Sequence, residues 1–410
     1  MAILKSASLG NSSRPRVLQI FTRYREYGGE ESSVYQIGDA LHRDFDVGFF
    51  GYSTEDFISG NILSKAFAPA AAFWNPHAVG ELRRYQSIGR YDFWQIHNVF
   101  PAMSPAVYQL AFELGVPVVH YLHNYRLGCV NGFFLNHGLP CQRCACGDFL
   151  PALLTACWHD SRLKSGLMGA VTSKARGLGI FSKIAHWIAV SRAQAEEHVA
   201  MGVPRERISV IPHFLELTGA ELPHPLGEDV IFVGRLSKEK GVDRLLRAWK
   251  IIQESGRRLW IVGDGPERGE LESLAVSLNL KNVTFTGFVD RSAMGDLWKK
   301  AACSIVPSIW KEPFGMVVLE SWARSCPVVA HRIGGLAEII DDGFNGLLVE
   351  SDDIPGLASA VLRLLHEDDF CSRLGKEGSL KLRYLYSRTN WQDSILRVYE
   401  GLIQKPSEHD

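Results

Sequence analysis

The chain has 410 residues, more than one hydrophobic core usually serves, so two domains of roughly 200 residues are expected. Its composition, 46% hydrophobic and 22% charged, excludes a disordered, collagenous or coiled-coil protein, and 44 Lys and Arg against 45 Asp and Glu leave no bulk attraction for nucleic acid. An anionic ligand must therefore be held by a local site. No run reaches the 18 or so apolar residues of a membrane span, and Met1 to Arg16 lacks the apolar core of a secretory signal. A cytoplasmic protein is the expectation.

Short β-branched or aromatic runs alternate with helical patterns, the signature of βα units and parallel sheets. The first half offers strands at Val17–Phe21, Val47–Phe50, Phe93–Ile96, Val116–Leu122, Trp187–Val190 and Ile208–Ile211. The pattern restarts at Val230–Val233 and continues through Leu259–Val262, Val283–Phe285, Ser304–Val306 and Val328–Ala330. Leu245, Leu246, Trp249 and Ile252 form one apolar helix face; Leu271, Leu274 and Leu278 form another. Leu217 to Glu228, with two prolines and two glycines and no period, reads as the linker.

In the second half, Phe232-Val-Gly-Arg-Leu-Ser-Lys-Glu-Lys-Gly places Gly234, Arg235 and Lys240 between a strand and a helix. Loop amides, a guanidinium fork and a point charge suit a diphosphate; a solvated charged loop is the competing reading. Gly263 and Gly265 turn the next strand sharply, and Gly287 would let the backbone approach a flat ligand. Glu312 and Glu320 lie one helical repeat apart, with Gly315 at a predicted helix start, so both can face one cleft. Amides around Phe314 to Val317 are placed to meet sugar hydroxyls or phosphate oxygens.

Taken in order, Gly-Arg-Leu-Ser-x-x-Lys-Gly, Gly-Asp-Gly-Pro, Gly-Phe-Val, Glu-x-Phe-Gly with a second Glu eight residues on, and Gly334-Gly335 resemble glycosyltransferase family 4, the retaining GT-B enzymes. The resemblance implies two Rossmann-like α/β domains facing a cleft: residues 1–218 for the acceptor, 219–385 for a nucleotide sugar, and 386–410 as a helix crossing back. It implies that Arg235 and Lys240 bind the donor diphosphate and that Gly287, Phe288 and Val289 lie by the base. Glu312 would contact the transferred sugar and Glu320 the ribose, with Gly234, Phe314, Gly315, Met316 and Val317 completing the donor site.

In the first half, the amides of Gly28 and Gly29 open a helix and could approach phosphate or an acceptor hydroxyl, or form a plain turn. His97, His120 and His123 close two strands. His123 matches the histidine that the family places at its reaction centre; His120 is expected in the core, and His97 is undecided between cleft wall and site. Arg126 either binds an acidic acceptor group or forms a structural salt bridge.

Five of the eight cysteines fall within 29 residues. Cys129-x11-Cys141-x2-Cys144-x12-Cys157, with Cys146 additional, sits in an insertion spanning about 124–185 that a subset of family 4 resembles. In a reducing compartment this spacing favours a tetrahedral structural zinc, with free thiols and iron–sulfur or redox roles as alternatives. Beyond it, Trp158 to Val190 carries Arg162, Lys164, Lys174, Arg176 and Lys183 against Asp160, which suits either a surface helix or contact with anionic lipid at the inner membrane face.

The resulting expectation is retaining transfer of a hexosyl group from a UDP- or GDP-sugar to a saccharide or lipid-linked acceptor, without a catalytic metal. His123, Glu312, Arg235 and Lys240 would be catalytic, and His97 and Arg126 would meet the acceptor. A non-catalytic nucleotide-binding protein and a sugar-nucleotide epimerase on the same fold are the alternatives.

Overall fold

Among the described residues every long strand pairs parallel to its neighbours, because helical crossovers separate the hydrophobic runs and cover both sheet faces. The computed structural model describes residues 14–23, 29–53, 69–217, 227–290 and 292–403. These divide into two units. The first holds the described residues up to His137, Cys141–Ile211 and those from Gln392 onward; the second holds Gly138–Pro140 and Pro212–Trp391.

The first unit contains β1 (Arg16–Arg23), β2 (Asp46–Ser53), β3 (Phe93–Asn98), β4 (Val118–Tyr121), β5 (His186–Ala189) and β6 (Ile208–Val210). Their spatial order is β2-β1-β3-β4-β5-β6. Strand β3 is buried at every residue although it reads Phe-Trp-Gln-Ile-His-Asn. Gln95 sits in register with Gln19 of β1, so a polar strip runs through an otherwise apolar core and must find partners inside it. Part of that need is met by Tyr399 of the last helix, Arg388–Ile403, whose hydroxyl donates to Gln95. The same ring packs on Phe45 and Phe93.

The second unit contains β7 (Asp229–Val233), β8 (Leu259–Val262), β9 (Val283–Gly287), β10 (Ala301–Val306), β11 (Val328–His331) and β12 (Leu347–Val349), in the order β9-β8-β7-β10-β11-β12. Counted within the unit this is 3-2-1-4-5-6, the order of dinucleotide-binding sheets. The helix Val242–Ile252 buries Leu245, Leu246, Trp249 and Ile252 against it. Strand order reverses between β7 and β10, and between β1 and β3 in the first unit. Open α/β sheets bind ligands beyond the carboxyl ends of strands at such reversals.

One sequence reading changes in the packed chain. The helix Arg162–Gly177 is a core element: Met168, Val171 and Ala175 are buried, while Leu163 is 83% exposed. Two cations of the basic stretch, Lys174 and Arg176, turn inward, and exposed Lys183 packs on an aromatic ring. Lys174 Nζ donates to Phe73 O at 3.1 Å and sits over the Trp74 ring, and Lys183 lies over Phe112. Arg176 donates to the carbonyls of Leu127, Ala145 and Met201, each at 3.2 Å. Among the described residues no helix is long and apolar enough to cross a membrane.

Candidate active site

The loops after β7 and β10 meet at the strand-order reversal of the second unit. Lys240, in the loop after β7, donates to both Glu312 oxygens at 3.1 and 2.9 Å and lies 5.6 Å from the Trp310 ring centroid. Glu312 is only 7% exposed. Ser308 Oγ and Trp310 Nε1 also donate to its Oε2, each at 2.8 Å, so the buried carboxylate is fully met by donors. Arg235 donates to Glu239 at 2.8 Å and to Ser237 Oγ at 3.3 Å. Burial alone would raise the Glu239 carboxyl, yet Arg235 and Ser237 hold it below the usual carboxylate range. Both predicted phosphate-binding cations therefore stand paired with carboxylates of their own unit.

Glycines explain how these loops come so close. Gly334 adopts φ +53°, and a Cβ there would lie 2.5 Å from the Glu312 carbonyl oxygen and 2.8 Å from its nitrogen. On Gly335 it would meet Pro313 O at 2.4 Å, and the Gly335 amide donates to Glu312 O at 2.7 Å. The Gly-Gly turn thus presses directly on the backbone that carries Glu312. Gly315, at φ +105°, starts the helix Met316–Trp322. That helix carries Met316, Val317 and Glu320, and Phe314 before it is buried against His213 and Tyr386. The Gly263 amide bonds to Gly287 O at 3.0 Å, and beyond Gly287 the Phe288 ring is 74% exposed beside the partly buried Val289. Gly234 closes β7 with its amide on Val262 O.

The first unit's reversal is built from side chains. His97 Nδ1 lies 2.8 Å from His123 Nε2, and His97 Nε2 lies 2.7 Å from Gln19 Oε1. His97 is buried and His123 partly so. Tyr121 stacks on both imidazoles. His120 points the other way, between Tyr108 and Trp187, where burial and then the nearby His198 push its pKa down to about 3. It is a neutral core residue. Arg126 donates to Val130 O at 3.2 Å and covers Trp158. Gly29 begins the helix Gly29–Leu41 with nothing within 4 Å of a Cβ; Gly28 lies outside the described residues.

Sequence reading passed over Glu30. Burial pushes its carboxyl up to about 7, against the lowering effect of Asn98, Arg126 and Asn124. Its Oε1 and the Arg126 Nε are both buried without a hydrogen-bond partner among the described residues. The only sequence signal was an acidic residue in the first helical turn, which ordinarily just complements the dipole. Ser308 and Trp310 were missed as well, although Ser-x-Trp-x-Glu places all three on one side of an extended segment.

The cysteines of the insertion remain together. Cys129, Cys141, Cys144 and Cys157 line one cavity of about 10 Å³. All eight cysteines are free thiols. Burial, then the neighbouring sulfurs, pushes Cys144 up to about 11 and Cys157 up to about 12.

With this geometry in hand, similarity to known proteins decides the family. Residues 27–218 match the model for Glycosyltransferase Family 4 and residues 222–381 that for Glycosyl transferases group 1. The lipopolysaccharide core biosynthesis glycosyltransferase LpsD of Rhizobium meliloti is 31% identical over 56% of this chain and 67% of its own length. The chain belongs to glycosyltransferase family 4. An uncharacterised family relative from Methanocaldococcus jannaschii is 35% identical over 42% of this chain and 44% of its own, so the chain spans under half of that curated relative. Sucrose-phosphate synthase from Thermosynechococcus elongatus superimposes with a TM-score of 0.70 at 21% identity, over 94% of this chain and 99% of its own. HepE from Anabaena does so at 0.67 and 18%, over 94% and 100%. The fold is that of the GT-B glycosyltransferases, with two parallel-sheet domains.

Proposed function

We propose that the chain transfers a hexosyl group, with retention, from a UDP- or GDP-sugar to a saccharide or lipid-linked acceptor in cell-surface polysaccharide or glycolipid synthesis. The observation that carries this reading is the Lys240–Glu312 pair, clamped by Gly334-Gly335 at the reversal of a dinucleotide-type sheet. HepE was solved with UDP and with UDP-glucose, and TarM of S. aureus with UDP and α-GlcNAc-glycerol, which supports a nucleotide-sugar donor here. LpsD, by its name, acts in lipopolysaccharide core biosynthesis, which supports the cell-surface setting.

In this reading the arriving diphosphate exchanges places with carboxylates as the partner of Lys240 and Arg235. Charge that develops on the departing phosphate is then met by an ammonium, a guanidinium and loop amides already in position, so no catalytic metal is called for. Glu312, still held by Ser308 and Trp310, accepts hydrogen bonds from hydroxyls of the transferred sugar. The acceptor hydroxyl attacks from the face the phosphate leaves: the anomeric carbon–phosphate oxygen bond breaks, the new glycosidic bond forms, and the hydroxyl proton passes to the leaving phosphate. On the acceptor side, His123 is oriented through His97, and the open Glu30 and Arg126 atoms suit hydroxyl groups.

Exposed Leu150, Leu154 and Leu163, with Arg162 and Lys164 alongside, favour a lipid-linked acceptor met at the cytoplasmic membrane face. Incubation with UDP-, GDP- and ADP-sugars, followed by NMR assignment of the product anomer, tests the whole reading. A new α-linkage from an α-linked donor is expected. An inverted product would remove the retaining step, and epimerised donor formed without an acceptor would replace transfer altogether.

A further inference from the structure

We propose that Cys129, Cys141, Cys144 and Cys157 bind one zinc ion, which staples the insertion that follows β4.

The four cysteines come from segments up to 28 positions apart in sequence, yet they line a single small cavity. Its room is close to the least that accommodates one water, a scale suited to a single ion. Cys146, between them in sequence, is exposed and stays out of the cavity.

Two turns of the same design also present the sulfurs. The Gly132 amide bonds back to Cys129 O at 3.0 Å, and the Gly147 amide to Cys144 O at 2.9 Å. Both glycines are left-handed, at φ +83° and +99°, so each cysteine heads a Cys-x2-Gly turn that other residues would strain. The backbone amides of Asn131 and Phe134 lie near the Cys129 sulfur, whose thiol donates to Asn131 Oδ1 at 3.0 Å, and Arg143 Nε lies 3.5 Å from the Cys141 sulfur. Donors aimed at sulfur are the outer-shell partners that metal thiolates require.

The segments that carry the sulfurs, finally, are hydrogen-bonded to the rest of the unit. Arg176 ties the carbonyls of Leu127 and Ala145, one beside each turn, to the helix beneath.

Among the described residues no three His, Cys, Asp or Glu side chains are already set to hold a metal ion. Binding therefore includes a closing movement: the thiols lose their protons and the sulfurs draw in to about 2.3 Å from the ion. Two positively charged units of zinc against four thiolates leave a net negative centre, which Arg143 is placed to offset. Four sulfurs with no carboxylate favour zinc over magnesium or calcium. The staple would fix Asn124 and Arg126, which directly precede the first turn and face Glu30.

Elemental analysis of the full chain, purified without added metal or chelator, tests this. About one zinc per chain is expected, falling at least fivefold in Cys144→Ser and Cys157→Ser and unchanged in Cys146→Ser. Because the serine variants could unfold, the wild-type chain reloaded with cobalt provides a second measurement, in which thiolate-to-cobalt charge-transfer bands are expected. A folded wild-type chain that is free of zinc and gives no such bands overturns the proposal. So does zinc that survives both serine substitutions, or mass spectrometry showing these cysteines paired as disulfides.

Discussion

The two strand-order reversals of this chain hold their chemistry in opposite ways. In the second unit, cations and carboxylates on neighbouring loops neutralise one another, and glycines lock the loops backbone to backbone. In the first, the functional groups stand on strand ends and contact one another through side chains, and the buried carboxyl of Glu30 is kept neutral more easily by a proton than by a partner. A paired cation can be released to an incoming anion, whereas an acid that burial makes easier to protonate and two imidazoles suit uncharged hydroxyls. That division of charge suits the substrates proposed above, a donor carrying a diphosphate and an acceptor offering hydroxyls.

The strongest way to break the comparison is to remove one member of the exchangeable pair. Lys240→Ala leaves Glu312 buried with only Ser308 and Trp310 as side-chain donors, a loss of about 3 to 5 kcal/mol in pairs of this kind. Transfer should fall by about 10² to 10³-fold, the scale for losing one preorganised charge-stabilising group. Glu312→Gln should lower transfer comparably while unfolding less readily, since the amide oxygen can still accept from Ser308 and Trp310. Steady-state rates together with urea melts separate the two effects, and near-normal turnover in either variant would remove the pair from the site.

The glycine clamp comes next in size. Gly334→Ala places a methyl against the Glu312 backbone at a positive φ, and should cost about 2 kcal/mol together with part of the transfer rate. Gly269→Ala provides the contrast: it lies in the helix Arg268–Ser277 with nothing within 4 Å of the new methyl. There the same substitution should stabilise by about 0.5 to 1 kcal/mol. Equal midpoint shifts in thermal melts of the two variants would mean that the Gly334 clamp is not what fixes Glu312.

These contrasts also mark what could be read from the chain. Strands were legible because β-branched runs recur between helical faces; among the described residues the two-residue strands Leu135–Asn136 and Leu139–Pro140 escaped, as did two further segments. Leu347–Val349 is three residues long, too short for a period to show. The front of β10 is Ala-Ala-Cys, whose small side chains carry no strand signal. Lys240, Glu312 and Gly334-Gly335 were visible because their spacing repeats across a family, but the pairings were not. That Arg235 would turn to Glu239, or that Arg176 would be drawn inward, depends on which carbonyls and carboxylates the tertiary fold leaves without partners. Glu30 is the extreme case, since two adjacent glutamates open the same helix and nothing in sequence tells which one is drawn towards Asn98 and Asn124.

Glu30 gives the most delicate prediction because it depends on the sign of a proton linkage. Its folded pKa, raised from 4.5 to about 7, means the folded chain holds a proton that the unfolded chain has released. Below pH 4.5 both states carry the proton and burial of this group costs nothing. Between 4.5 and 7 the unfolded state loses it first, so stability falls as pH rises, and above 7 the full cost is present. At about 1.4 kcal/mol per pKa unit, that cost is at most about 3 kcal/mol. Glu30→Gln keeps the shape and cannot ionise. Its urea midpoint should match wild type near pH 4.5 and exceed it at pH 8. Parallel curves across that range would mean Glu30 is charged and paired, and the first unit would then hold its carboxylate as the second does.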